Sequence, residues 1–124
     1  MKVILSIKPE FAEKIFSGDK RFEYRRSIFK NREISKVIVY ASAPISKVVG
    51  EFEIVQIKYL DLKTLWRETK ELSGITEEFF YEYFKGKKLG FALEIKKARQ
   101  FKTAKCIVKE YGKIAPQSFV YYNE

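Results

Sequence analysis

The sequence predicts an α+β fold, a mixed β-barrel or sheet of about six strands with short helices packed at its ends. Three observations carry that reading. Apolar, β-branched and aromatic residues recur in short runs along the whole chain, with 46% hydrophobic and 16% aromatic content, enough for a packed core. Two helical segments follow one another directly, which breaks the strand-helix alternation of a doubly wound sheet, and no G-x-G-x-x-G or P-loop pattern occurs. With 124 residues and no repeat, low-complexity tract or linker, residues 1–124 read as one domain.

The elements follow in order. "KVILSI" (2–7) is apolar without alternation, as a strand buried on both faces requires. In "KPEFAEKIFSG", Pro9 suits a first helical turn, Phe11, Ala12, Ile15 and Phe16 form one stripe, and Gly18 ends the helix. "KRFEYRR" changes to period two, placing Phe22 and Tyr24 on one face of a strand and Arg21, Glu23 and Arg25 on the other. "KVIVYAS" (36–42) and "KVVGEFEIVQIKYL" (47–60) are strands joined by a turn at "SAP", with Gly50 marking a bulge or a close backbone approach. Asp61 caps a helix through Leu65, Trp66 and Thr69 towards Gly74. Thr76 starts a second helix, "TEEFFYEYFKG", whose Phe79, Phe80, Tyr83 and Phe84 sit at helical spacing and read as core. "LGFALEI" and "PQSFVYYN" are strands, and "RQFKTAKCIVKEYG" between them is ambiguous.

Composition narrows the chemistry. Lys plus Arg number 25 against 16 acids, a net charge of +9 that favours polyanionic partners. The chain has no histidine and a single cysteine. Ser-His-Asp and Cys-His catalysis are therefore excluded, no conventional zinc site is expected, and Cys106 reads as a small buried hydrophobe. Nothing near Met1 resembles a secretory signal and no apolar run approaches the ~20 residues of a membrane span, so a cytoplasmic location is expected, with no cofactor and no membrane partner.

The densest chemistry lies in "GDKRFEYRR" (18–26). Glu23 and Arg25, two apart in a strand, project from one face, with Lys20 at the corner that leads into it. A carboxylate between cations stays ionised, and a guanidinium offers a planar fork to phosphate or to a base edge. The alternative is the solvated face of an edge strand, where charges merely discourage aggregation.

Gly18, Lys20, Glu23 and Arg25 fit the G-x-K-x-x-E-x-R signature of the ASCH domain family, a branch of the PUA-like β-barrels. The chain also resembles that family in the strand and helix "LSIKPEFAEKIFSG" before the signature, in "VYASAP" after it and in the ending "PQSFVYYN". The resemblance implies a PUA-like barrel with a cleft, bordered by the first helix and the signature strand, suited to RNA or a nucleotide-like ligand. It carries over Lys20, Glu23 and Arg25 as cleft residues. Ser6, Lys8 and Ser42 join them by their expected nearness, and Tyr24, Tyr40 and Tyr59 are candidate stacking platforms for bases. One ASCH-like branch hydrolyses the amide of N4-acetylcytidine with the signature Lys, a Thr at the signature Glu position and a downstream Glu. Lys20 and Glu23 are accordingly the catalytic candidates if the chain is an enzyme, although Glu23 departs from that Thr, and Glu71, the matching downstream acid, reads as a plain exposed helical residue. The expected function is RNA or nucleotide binding, with hydrolysis of a modified nucleoside or of RNA as the alternative and a protein-interaction module as the third.

Overall fold

The computed structural model describes all 124 residues. Its elements are β1 (Lys2–Ile7), α1 (Pro9–Ser17), β2 (Phe22–Arg25), β3 (Lys36–Ala41), β4 (Lys47–Asp61), α2 (Leu62–Thr69) with a 3-10 turn (Lys70–Leu72), α3 (Glu77–Tyr83), β5 (Leu89–Lys105), α4 (Ile107–Tyr111) and β6 (Phe119–Tyr122). The strands form one mixed sheet in the order β2-β5-β4-β3-β1-β6. All pairs are antiparallel except β1 with β3, which run parallel.

The lack of alternation in β1 has a direct cause. Val3, Leu5 and Ile7 face the main core with Ile15, Phe52 and Leu93, while Ile4 faces a smaller cluster with Ile38, Tyr40 and Ile107 beneath α4. Both faces of the strand are covered, so both parities are apolar. The long β4–β5 ladder bends through three register shifts, the means by which a sheet curls around its core. Gly50 sits at one of them, and a Cβ there would strike the Arg99 carbonyl and stand 2.5 Å from the Phe16 ring, so both readings of this glycine hold.

The helices obey their local signals. Gly18 adopts the left-handed conformation that ends α1, the Asp61 carboxylate accepts from Thr64 N–H at 3.1 Å, and the Thr76 hydroxyl accepts from Phe79 N–H at 3.1 Å. α2 and α3 cover the outer face of β2 and β5, packing Leu65, Phe80 and Phe84 onto Phe22, Tyr24 and Ala92.

Some expectations change. The ambiguous segment is the outer half of β5, which runs unbroken to Lys105, followed by α4. Cys106 is not a core residue; it is half-buried at the N-terminal end of α4, where backbone N–H groups lower its thiol pKa. β2 begins at Phe22 and all four of its residues are buried, so Arg21, which is exposed, leaves the charged face.

The sheet does not close into a complete hydrogen-bonded barrel. β2 and β6 are its two ends and no ladder joins them. The Arg25 side chain spans the gap: one guanidinium nitrogen donates to the Ser6 carbonyl at 3.1 Å, and the other donates to the carbonyl (3.1 Å) and hydroxyl (2.7 Å) of Ser118, just before β6.

Candidate functional site

The gap between the ends of the sheet opens into a cavity of about 450 Å³, within the range of small-ligand sites. Ser6, Lys8, Lys20, Glu23, Tyr24, Arg25 and Ser42 all line it. The sequence thus named residues from β1, the β1–α1 corner, the α1–β2 corner, β2 and the β3–β4 turn that folding brings to one place.

Lys20 is held there by its neighbours. Gly18 turns the chain out of α1, and the Lys20 side chain then runs beneath the Ser73–Ile75 linker, leaving the residue 1% exposed. Its Nζ donates to the Ser73 carbonyl at 2.7 Å and lies 4.8 Å and 5.1 Å from the ring centroids of Tyr24 and Phe11. Gly74, at φ +70°, lies so close that a Cβ would come within 2.6 Å of the Lys20 stem. Burial brings the amine down to about 8; the Glu23 carboxylate opposes this shift and Lys14 adds to it.

Glu23 and Arg25 are a buried ion pair, with guanidinium to Oε2 at 3.2 Å. Three further hydrogen bonds from Arg25, to Ser6 and Ser118, satisfy the rest of its fork, which a buried guanidinium requires. Arg25 therefore orients Glu23 and closes the sheet, while Lys20 lines the cavity as a buried wall residue and Lys8 is the cation open to solvent. Lys8 is exposed at the mouth, over the Phe79 ring at 5.7 Å and the Phe11 ring at 6.0 Å. Arg26 also reaches the cavity, but its guanidinium donates to the carbonyls of Tyr83 and Lys85 and fastens the end of α3. Lys8, Lys20, Arg25 and Arg26 against Glu23 make an electropositive site.

The aromatic candidates divide. Tyr24 borders the cavity but is a core residue: its ring packs edge-on against Phe80 and Phe84, its hydroxyl shares a 2.7 Å hydrogen bond with Thr69, and burial pushes its phenol up to about 12. It is neither an open stacking face nor a base near neutral pH. Tyr40 is buried in the cluster under α4, and Tyr59 is exposed but lies outside this cavity. Glu71 is exposed and does not line it.

A family model for the ASCH domain matches residues 5–113. The chain belongs to the ASCH domain family. The ASCH relatives include the "ASCH domain-containing ribonuclease" of Zymomonas mobilis subsp. mobilis, 32% identical over 85 residues, covering 68% of this chain and 57% of the relative. The "Large ribosomal subunit protein uL22" of Ureaplasma parvum serovar 3 is 28% identical over 122 residues, covering 96% of this chain and 38% of the relative. The chain thus spans only part of the length of each. The crystal structure of the ASCH protein from Zymomonas mobilis superposes with a TM-score of 0.89 at 24% identity, covering 99% of this chain and 88% of that one, and a point variant of the same protein gives the same score. That likeness shows the fold.

In this ASCH chain sequence reasoning missed Phe11, Phe79, Tyr83 and Ser118 as cavity walls. α3 carries aromatics around most of its circumference, so periodicity does not separate Phe80 and Phe84, which are fully buried, from Phe79, which is 37% exposed. The assignment of Phe79 to the core is corrected, while Tyr83 is half-buried against the Phe80–Phe84 cluster; the two rings lie nearly parallel, 9° apart, along one wall of the cavity. Ser118 lies far from the signature in sequence, and it is tied to the site by the Arg25 hydrogen bonds and by the Ser6 N–H, which donates to its carbonyl at 2.9 Å.

Proposed function

We propose that the cavity binds RNA, or a nucleotide-like part of it, with a phosphate at Lys8 and Lys20 and a base against the wall of Phe79, Phe11 and Tyr83. The observation that carries this reading is the convergence, in one electropositive cavity of about 450 Å³, of the signature residues Lys20, Glu23 and Arg25 with an aromatic wall open to solvent. Cations for phosphate and rings for bases are the two requirements of single-strand binding. The relative named as a ribonuclease supports the choice of RNA. Fluorescence anisotropy with labelled single-stranded RNA should give an affinity that falls with salt, with a slope of about 0.7 per phosphate engaged. An affinity indifferent to Lys8→Ala combined with Lys20→Ala would sink it.

One observation favours a second reading, hydrolysis. Lys20 is an amine brought to about 8 beside the Glu23 carboxylate, an arrangement able to donate and accept protons near neutral pH. Incubation with RNA and with N4-acetylcytidine, followed by chromatography, distinguishes the two. Turnover that disappears in Lys20→Ala and Glu23→Gln supports catalysis, and intact substrates after prolonged incubation leave binding alone.

A further inference from the structure

Tyr59, on β4, is 52% exposed yet ordered by a neighbour: its ring stacks on Phe91 of β5, with centroids 4.1 Å apart and planes 18° apart. The Arg32 guanidinium lies 5.3 Å from the Phe91 centroid, and both rings border a concavity of about 560 Å³ separate from the cleft. Arg32 donates to the Phe29 carbonyl and makes no ion pair, so its charge is not cancelled. A surface aromatic ring with one face covered and one face free, beside an unpaired guanidinium, is the arrangement on which unpaired bases stack.

Its position gives it a partner. In the ladders Arg25 stands directly opposite Phe91, and Phe91 directly opposite Tyr59. Residues paired in this way share a face, so Arg25 of the cleft, Phe91 and Tyr59 lie on one rung across three strands, about 10 Å from end to end at ~4.8 Å per strand. That is the reach of about three stacked nucleotides at ~3.4 Å each.

The geometry points to a second nucleobase subsite, formed by the Tyr59–Phe91 stack and Arg32, for a single strand of RNA whose other part occupies the cleft. This rests on the RNA reading above and adds a direction to it: the strand runs from the cleft, where Arg25 ends the rung, towards Tyr59.

The test compares a mononucleotide, adenosine monophosphate, with a labelled octaadenylate, on wild type, Tyr59→Ala, Tyr59→Phe and Arg32→Gln. The expected result is that Tyr59→Ala weakens the octamer about 5- to 150-fold, leaves the mononucleotide affinity unchanged, and that Tyr59→Phe restores the octamer. Arg32→Gln should weaken the octamer less and lower its salt slope. Because Tyr59 is half exposed, an unaltered melting curve is expected, and Tyr59→Trp gives a second readout through quenching of its fluorescence by the octamer alone. Equal octamer binding by wild type and Tyr59→Ala, or equal weakening of both ligands, overturns the subsite while leaving the cleft in place. Failure of wild type to bind either ligand overturns the RNA reading, and the subsite with it.

Discussion

Replacing Lys20 by methionine removes the buried ammonium while keeping much of its volume, and the two consequences run in opposite directions. Holding the amine at about 8 instead of its ordinary 10.5 means that its charge costs the folded state roughly 3 kcal/mol relative to the unfolded chain at neutral pH. Against that relief stand the lost hydrogen bond to the Ser73 carbonyl, worth about 1.5–3 kcal/mol for a charged donor, and the ring contacts with Tyr24 and Phe11 at about 1 kcal/mol. The terms nearly cancel, so Lys20→Met should fold with a stability within about 1 kcal/mol of wild type at pH 7 while losing RNA affinity. The pH dependence separates this from a trivial result. Between pH 8 and 10 the unfolded chain keeps the Lys20 proton that the folded chain has lost, so wild-type stability rises with pH through that window by Lys20's contribution; above pH 10 the Tyr24 phenol, pushed up to about 12 when folded, opposes the trend. Urea unfolding at a series of pH values should show the rise in wild type and not in Lys20→Met. A loss of more than about 3 kcal/mol at pH 7, or identical pH profiles for the two proteins, would refute the argument that a strained, buried charge is retained for binding.

Three further outcomes follow from the same contacts. Arg25→Ala leaves Glu23 buried without its partner and removes the bonds joining the ends of the sheet, so urea unfolding should show a loss of about 3–5 kcal/mol. Gly74→Ala forces a Cβ into the Lys20 stem at a left-handed backbone position; a loss of about 1–3 kcal/mol in thermal unfolding and weakened RNA binding are expected, and an unchanged melting temperature would contradict the packing described. Lys8→Ala, at the exposed mouth, should leave stability within about 0.5 kcal/mol of wild type and lower the salt slope of RNA binding by about 0.7 in anisotropy titrations.

Much of the fold was legible because local signals and tertiary packing agree. Pro9, Gly18, Asp61 and Thr76 each mark a helix end, and the apolar run of β1 reflects a strand covered on both faces. The outer half of β5 was not legible: its residues are almost all exposed, so no burial pattern imprints on them, and pairing with β4 alone makes them a strand. At the site, spacing set Glu23 and Arg25 on one face, and the family signature joined Lys20 to them. Spacing did not say that this face is buried. That follows from Ser118, some ninety residues away, whose contact with Arg25 closes the sheet. The aromatic wall was hidden for the opposite reason, since α3 carries rings on more faces than its core contact needs.

The most direct measurement is amide chemical-shift mapping as a short single-stranded RNA is titrated into the protein at low salt. The account predicts that the largest shifts fall on Lys8, Glu23 to Ser27, Phe79 and Ser118, with a second group at Tyr59 and Phe91. Shifts confined to the exposed basic half of β5, from Lys96 to Lys105, with the cleft residues unmoved, would contradict it.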